Sequence, residues 1–86
     1  MHYEYKTKGT CSSRILLDVE DGKVRNVEFI GGCNGNLQGI GKLVEGMPVD
    51  EVIARLRGIR CGYKATSCPD QLATALTLAK QESGGN

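Results

Sequence analysis

The sequence predicts an α+β fold of two layers, a three-stranded antiparallel sheet carrying about three helices on one face. Three observations predict it. Period-2 alternation of apolar and polar residues is confined to the first third of the chain, stripes at helical spacing fill the rest, and turn residues separate the two regimes. Eighty-six residues suffice for one domain, expected over 1–82, with Ser83-Gly84-Gly85-Asn86 as a flexible tail.

The first strand is read at Tyr3 and Tyr5, which alternate with His2, Glu4 and Lys6. The second carries Ile15, Leu17 and Val19 between Arg14, Asp18 and Glu20, with Leu16 breaking the alternation. Val27 and Phe29, between Asn26 and Glu28, mark the third. Glu20-Asp21-Gly22-Lys23 joins the last two as a hairpin. In a regular ladder, a two-residue Asp21-Gly22 loop opposes Leu17 to Asn26 and Ile15 to Glu28, setting polar side chains on the apolar face. A three-residue loop, Glu20-Asp21-Gly22 with Gly22 left-handed, opposes Leu17 to Arg25, Ile15 to Val27 and Ser13 to Phe29. That register is the expected one. It places Cys11 opposite Gly31, two residues from Cys33.

Leu37, Ile40, Leu43 and Val44 form the stripe of a first helix ended by Gly46; Gly39 and Gly41 weaken it and are read as sites of close backbone approach. Met47-Pro48 opens a second helix with the stripe Val49, Val52, Ile53 and Leu56, ended by Gly58. A third runs from about Pro69 to Gln81, with Leu72, Ala75, Leu76 and Ala79 on one face.

A chain this short buries only about 60–65% of the surface its unfolded form exposes, so staples outside the core are valuable. The net charge of +1 gives no basis for nucleic-acid binding, and Tyr63 is the only aromatic among Arg55, Arg57, Arg60 and Lys64. The start of the chain lacks the apolar region of a signal peptide, and the apolar runs are no longer than Ile15-Leu16-Leu17, far short of a membrane span. A cytoplasmic protein with no membrane contact, monomeric or homodimeric, is the expectation. In that compartment four cysteines read first as a metal or redox set rather than as structural disulfides.

Those four are Cys11, Cys33, Cys61 and Cys68. Cys68 precedes Pro69, a residue favoured at the first helical position, so Cys68 is read as the N-cap. A thiol there is acidified by the helix dipole, with Asp70 partly opposing. Cys33 lies in Gly31-Gly32-Cys33-Asn34-Gly35-Asn36, a loop able to curl its N–H groups around a thiolate, a sulfide or a phosphate. The loop matches neither Gly-x-Gly-x-x-Gly nor a P-loop. Cys61 lies close enough in sequence to fold back beside Cys68, and Cys11 is either a ligand or a small core hydrophobe. His2, the one histidine, stands outside the expected ligand set, and no Ser-His-Asp set exists. The first expectation is a metal-binding module with Cys11, Cys33, Cys61 and Cys68 as ligands, zinc ahead of an iron–sulfur cluster. Two alternatives stand beside it: a thiol-redox accessory using a Cys61–Cys68 disulfide, and an interaction domain whose cysteines are incidental.

Thr66-Ser67-Cys68-Pro69-Asp70 spells the pentapeptide for which the TSCPD domain family is named. The resemblance extends through Asp21-Gly22-Lys23-Val24, Gly32-Cys33-Asn34-Gly35-Asn36-Leu37, Cys61-Gly62 and Gln71-Leu72, and the chain looks like a free-standing bacterial member. A related domain stands at the C-terminus of adenosylcobalamin (B12)-dependent ribonucleotide reductases. The resemblance therefore implies an accessory role in nucleotide reduction, with nucleotide binding or a reductase partner. The chain is too short to be a complete reductase. A second likeness is to U-type iron–sulfur cluster scaffold proteins. Gly32-Cys33-Asn34-Gly35, Gly46-Met47-Pro48-Val49-Asp50-Glu51 and Cys68 follow their order, a likeness that bears mainly on the fold.

Overall fold

The computed structural model describes residues 1–32 and 34–82; Cys33 and the 83–86 tail lie outside the described residues. Strands β1 (His2–Lys6), β2 (Ser12–Glu20) and β3 (Lys23–Gly31) form an antiparallel meander in the order β1-β2-β3. Helices α1 (Asn34–Val44), α2 (Val49–Leu56) and α3 (Cys68–Glu82) follow. This is the α+β arrangement expected from the sequence. Ile15, Leu17 and Val24 of the sheet are buried with Val44, Val49, Val52, Leu72 and Leu76 of the helices, and Tyr3, Tyr5, Val27 and Phe29 pack against them. Among the described residues no helix is long and apolar enough to cross a membrane.

The hairpin corrects the expected register. The loop is the two-residue one: Glu20 faces Lys23, and Asp21 and Gly22 both take positive φ, 55° and 74°, the type I′ geometry that matches strand twist. The apolar face survives because the ladder is not regular. Asp18 faces Arg25 but Leu16 faces Glu28, so one extra residue is inserted in β3. Asn26 adopts φ 54°, donates its N–H to Glu45 at 2.8 Å, and donates its side-chain amide to Asp18 at 2.9 Å. This bulge restores parity, so that Ile15 meets Phe29 across the ladder. The spacing Val24, Val27, Phe29 is its trace in the sequence.

A second irregularity lies at the other end of β2, where Ser12 faces Gly31 and Arg14 faces Ile30. Strict alternation from Ile15 would turn Ser13 inward and Ser12 to solvent. The bulge reverses this: Ser12 is 3% exposed, while Ser13 is exposed and donates to the Ile30 carbonyl at 3.1 Å. The first bulge already gives Phe29 to Ile15 in place of Ser13; the second sets Ser12, in place of the expected Cys11, opposite Gly31, and the inward Ser12 becomes part of the site.

Helix α1 packs on β3 through Gly41, where an added Cβ would stand 2.9 Å from the Val27 carbonyl oxygen. Gly39, by contrast, faces open space. Leu43, read as part of the stripe, is 77% exposed, and the buried surface of α1 is Leu37, Gly41 and Val44. Gly39→Ala should stabilise the protein by about 0.5–1 kcal/mol. Gly41→Ala should destabilise it by about 1–2 kcal/mol, because a backbone carbonyl must move. Urea unfolding of the two variants checks the opposite signs.

Helix α2 begins one residue later than expected, with Pro48 at the cap position rather than within the helix. Its start is tied to the hairpin: Val24 N–H donates to Met47 at 2.9 Å and Val49 N–H to Gly22 at 2.9 Å. The residues after α2 form an exposed segment, 57–65, that leads to α3.

Candidate functional site

Helix α3 starts at Cys68, and the cap is Ser67, one residue earlier than the expected position. The Ser67 hydroxyl accepts the Asp70 N–H at 3.2 Å and donates to the Ile59 carbonyl at 2.6 Å. Its carbonyl receives the Gln71 N–H at 2.8 Å, the first helical bond. A serine oxygen is a better acceptor for an orphan helix N–H than a thiol, so the cap falls to Ser67 and Cys68 becomes the first helical residue.

The surrounding residues make a latch. Asp70 accepts the Thr66 hydroxyl, and it also accepts the Gly58 N–H at 2.7 Å. Gln71 donates to Thr66 at 3.2 Å and accepts the Lys8 N–H at 3.0 Å. Thr66, Ser67, Asp70 and Gln71 thus fasten the 57–65 segment and the β1–β2 connection to the start of α3. The Thr66 hydroxyl, the Gly58 N–H and nearby Arg57 and Arg60 hold the Asp70 carboxyl below the usual aspartate range. Its stabilising contribution is therefore complete above the unfolded value of about 3.9 and is lost as pH falls through the lower folded value. Asp70→Asn should lower stability at neutral pH and flatten the loss of stability below about pH 4. Denaturant titrations at several pH values check this.

Three cysteine-bearing segments meet at this latch. Cys11 and Cys61 are exposed and Cys68 is 7% exposed. All three line one pocket of about 30 Å³ with Gly9, Thr10, Lys64, Thr66 and Ser67. The Cys68 sulfur lies 3.8 Å from the Cys11 sulfur and 3.2 Å from the Ser12 hydroxyl. Burial pushes the Cys68 thiol up, but hydrogen bonds from the Ser12 hydroxyl and N–H, with Cys11 and Thr10, outweigh it and leave the thiol below its ordinary value. The arrangement is a small nest of donors around one sulfur at a helix start.

Cys61 shares the pocket, but among the described residues no three His, Cys, Asp or Glu side chains form a group able to hold a metal ion. Cys33 falls outside those residues. Its neighbour Gly32 abuts Cys11, since a Cβ on Gly32 would stand 3.0 Å from the Cys11 sulfur. His2 hydrogen-bonds Asp18 at 2.8 Å at the opposite end of β2. Ser12 and Thr10 escaped the sequence reading; the hydroxyl run Thr10, Ser12, Ser13 around Cys11 is the signal that points to them.

A short α+β module with clustered thiols at the start of its last helix is the class of protein this geometry defines. The TSCPD domain family matches residues 2–80, and the chain belongs to that family. No curated protein and no solved structure matches it.

Proposed function

We propose that the chain is a cysteine-based metal-binding module, with Cys11, Cys33, Cys61 and Cys68 holding one zinc ion. The observation that carries this reading is the 3.8 Å separation of the Cys11 and Cys68 sulfurs beside a pocket of about 30 Å³. Tetrahedral zinc with bonds of about 2.3 Å separates neighbouring thiolates by about 3.8 Å. A pocket of that volume suits one water or a bare ion and is far too small for a nucleotide. The donors around Cys68 favour its thiolate, the form that binds metal, and Lys64 adds positive charge at the rim. Completing the site requires Cys61 to close on the pair. Residues 57–65 are exposed but anchored at Gly58 and Ile59 by the latch, so the closing motion is confined to the stretch around Cys61, whose N–H bond to the Thr66 carbonyl at 3.2 Å it exchanges for the metal.

The module acts as an accessory protein in the cytoplasm. Its partner is a protein, and a ribonucleotide reductase is the first to assay, because a related domain forms the end of such enzymes. Cobalt(II) titration of the reduced, tag-free protein tests the metal site. One equivalent should bind with the spectrum of a tetrahedral thiolate complex, and zinc should displace it. Octahedral, weakly bound cobalt in a well-folded protein would exclude the reading.

A further inference from the structure

We propose that Cys11 and Cys68 form a redox pair that closes to an intrachain disulfide, and that closing it releases the metal. The release rests on the metal-binding reading; the pairing does not. Sequence spacing favours Cys61 as the partner of Cys68, but the sulfur at contact distance, 3.8 Å, belongs to Cys11. Cys11 also has freedom to close the remaining gap to a bond of about 2.05 Å. It is exposed and sits in the bend between β1 and β2, outside either strand, whereas Cys68 is fixed by the capped first turn of α3.

Access sets the order of the chemistry. A small-molecule disulfide such as glutathione disulfide reaches exposed Cys11, but it is too large for the pocket of about 30 Å³ beside buried Cys68. The Cys11 thiolate attacks the reagent, forming a mixed disulfide and expelling one glutathione thiolate. The Cys68 thiolate then attacks the Cys11 sulfur, forming the protein disulfide and expelling the second. The two cysteines are oxidised, the reagent is reduced to two thiols, and the protons lost by the protein are taken up by the leaving thiolates. Both sulfurs lose their capacity to act as thiolate ligands, which leaves only Cys33 and Cys61 for the metal.

Trypsin separates all four cysteines, into peptides 9–14, 26–42, 61–64 and 65–80. Metal-free, reduced protein should be treated with glutathione disulfide, blocked with an alkylating reagent, digested and analysed by mass spectrometry. The 9–14 to 65–80 cross-link should exceed every other pairing at least tenfold. Dominance of a 61–64 to 65–80 cross-link, or Cys11 persisting as its glutathione adduct, would overturn the pairing. In parallel, zinc-loaded protein is oxidised in the presence of a chromophoric chelator, and zinc should appear in step with the cross-link. Cross-linking with zinc retained would overturn the release. Cross-linking in a protein that takes up no zinc would overturn the metal reading and leave the pairing intact.

Discussion

Replacing Cys68 by serine is expected to weaken zinc binding at least about 100-fold and to remove most of the metal-dependent part of the thermal stability. Changes to groups that merely orient a ligand cost about 10–100-fold, so loss of the sulfur itself sets the upper end of that range as a floor. The variant should still fold, because serine is a good residue in the first helical turn and the Ser67 cap is untouched. At free zinc about 1,000 times its dissociation constant, binding adds about 4 kcal/mol to folding. In a domain of this size each kcal/mol moves the midpoint by about 4–8 °C. A chelator should therefore lower the Tm of the native protein by about 15–30 °C and that of Cys68→Ser by no more than about 6–11 °C, from the ~1.4 kcal/mol left after a 100-fold loss. Circular dichroism melts with and without chelator make the comparison. Chelator sensitivity in Cys68→Ser equal to that of the native protein would remove Cys68 from the site.

Leu72→Ala should be the most damaging single change in the core, at about 3 kcal/mol, or about 12–24 °C in Tm. Leu72 is fully buried and lies one turn after Cys68, in the cluster that includes Ile15, Leu17 and Val24. It holds the start of α3 against the sheet, so its loss loosens the contact between Cys68 and the Cys11–Ser12 segment. Folding and ligand convergence are thus coupled through this side chain. By linkage the loosened site binds zinc more weakly, so the Tm deficit of Leu72→Ala should be larger in saturating zinc than in its absence. A variant equally destabilised with and without zinc would show that the core and the cysteines are independent.

The strands and helices are legible in the sequence because their apolar periods are clean: Tyr3 and Tyr5, Ile15 and Leu17, then Val49, Val52 and Ile53. What resisted reading was parity. The Asp21-Gly22 turn and the alternation of Val27 and Phe29 conflict in any regular ladder, and the expected three-residue loop resolved that conflict in the wrong place. The molecule resolves it at Asn26, held by Glu45 from the end of α1, a contact distant in sequence and invisible to local pattern. The same limitation hid Ser12, whose inward turn depends on the second bulge. Gly41 was legible as a close approach but Gly39 was not distinguishable from it, since which glycine meets β3 depends on how α1 is rotated. In the pentapeptide, the sequence directed attention to Cys68, while Thr66, Ser67 and Asp70 serve to fasten the loops around it. That division of labour appears only when Ile59, Gly58 and Lys8 are seen at their positions.

Elemental analysis combined with native and denaturing mass spectrometry, on protein purified without a metal-affinity tag, tests the central claim most directly. The account predicts one zinc per chain in the native mass, lost on denaturation, with four thiols then open to titration. A native mass equal to that of the bare chain, from protein equally folded and with all four thiols titratable from the outset, would contradict it.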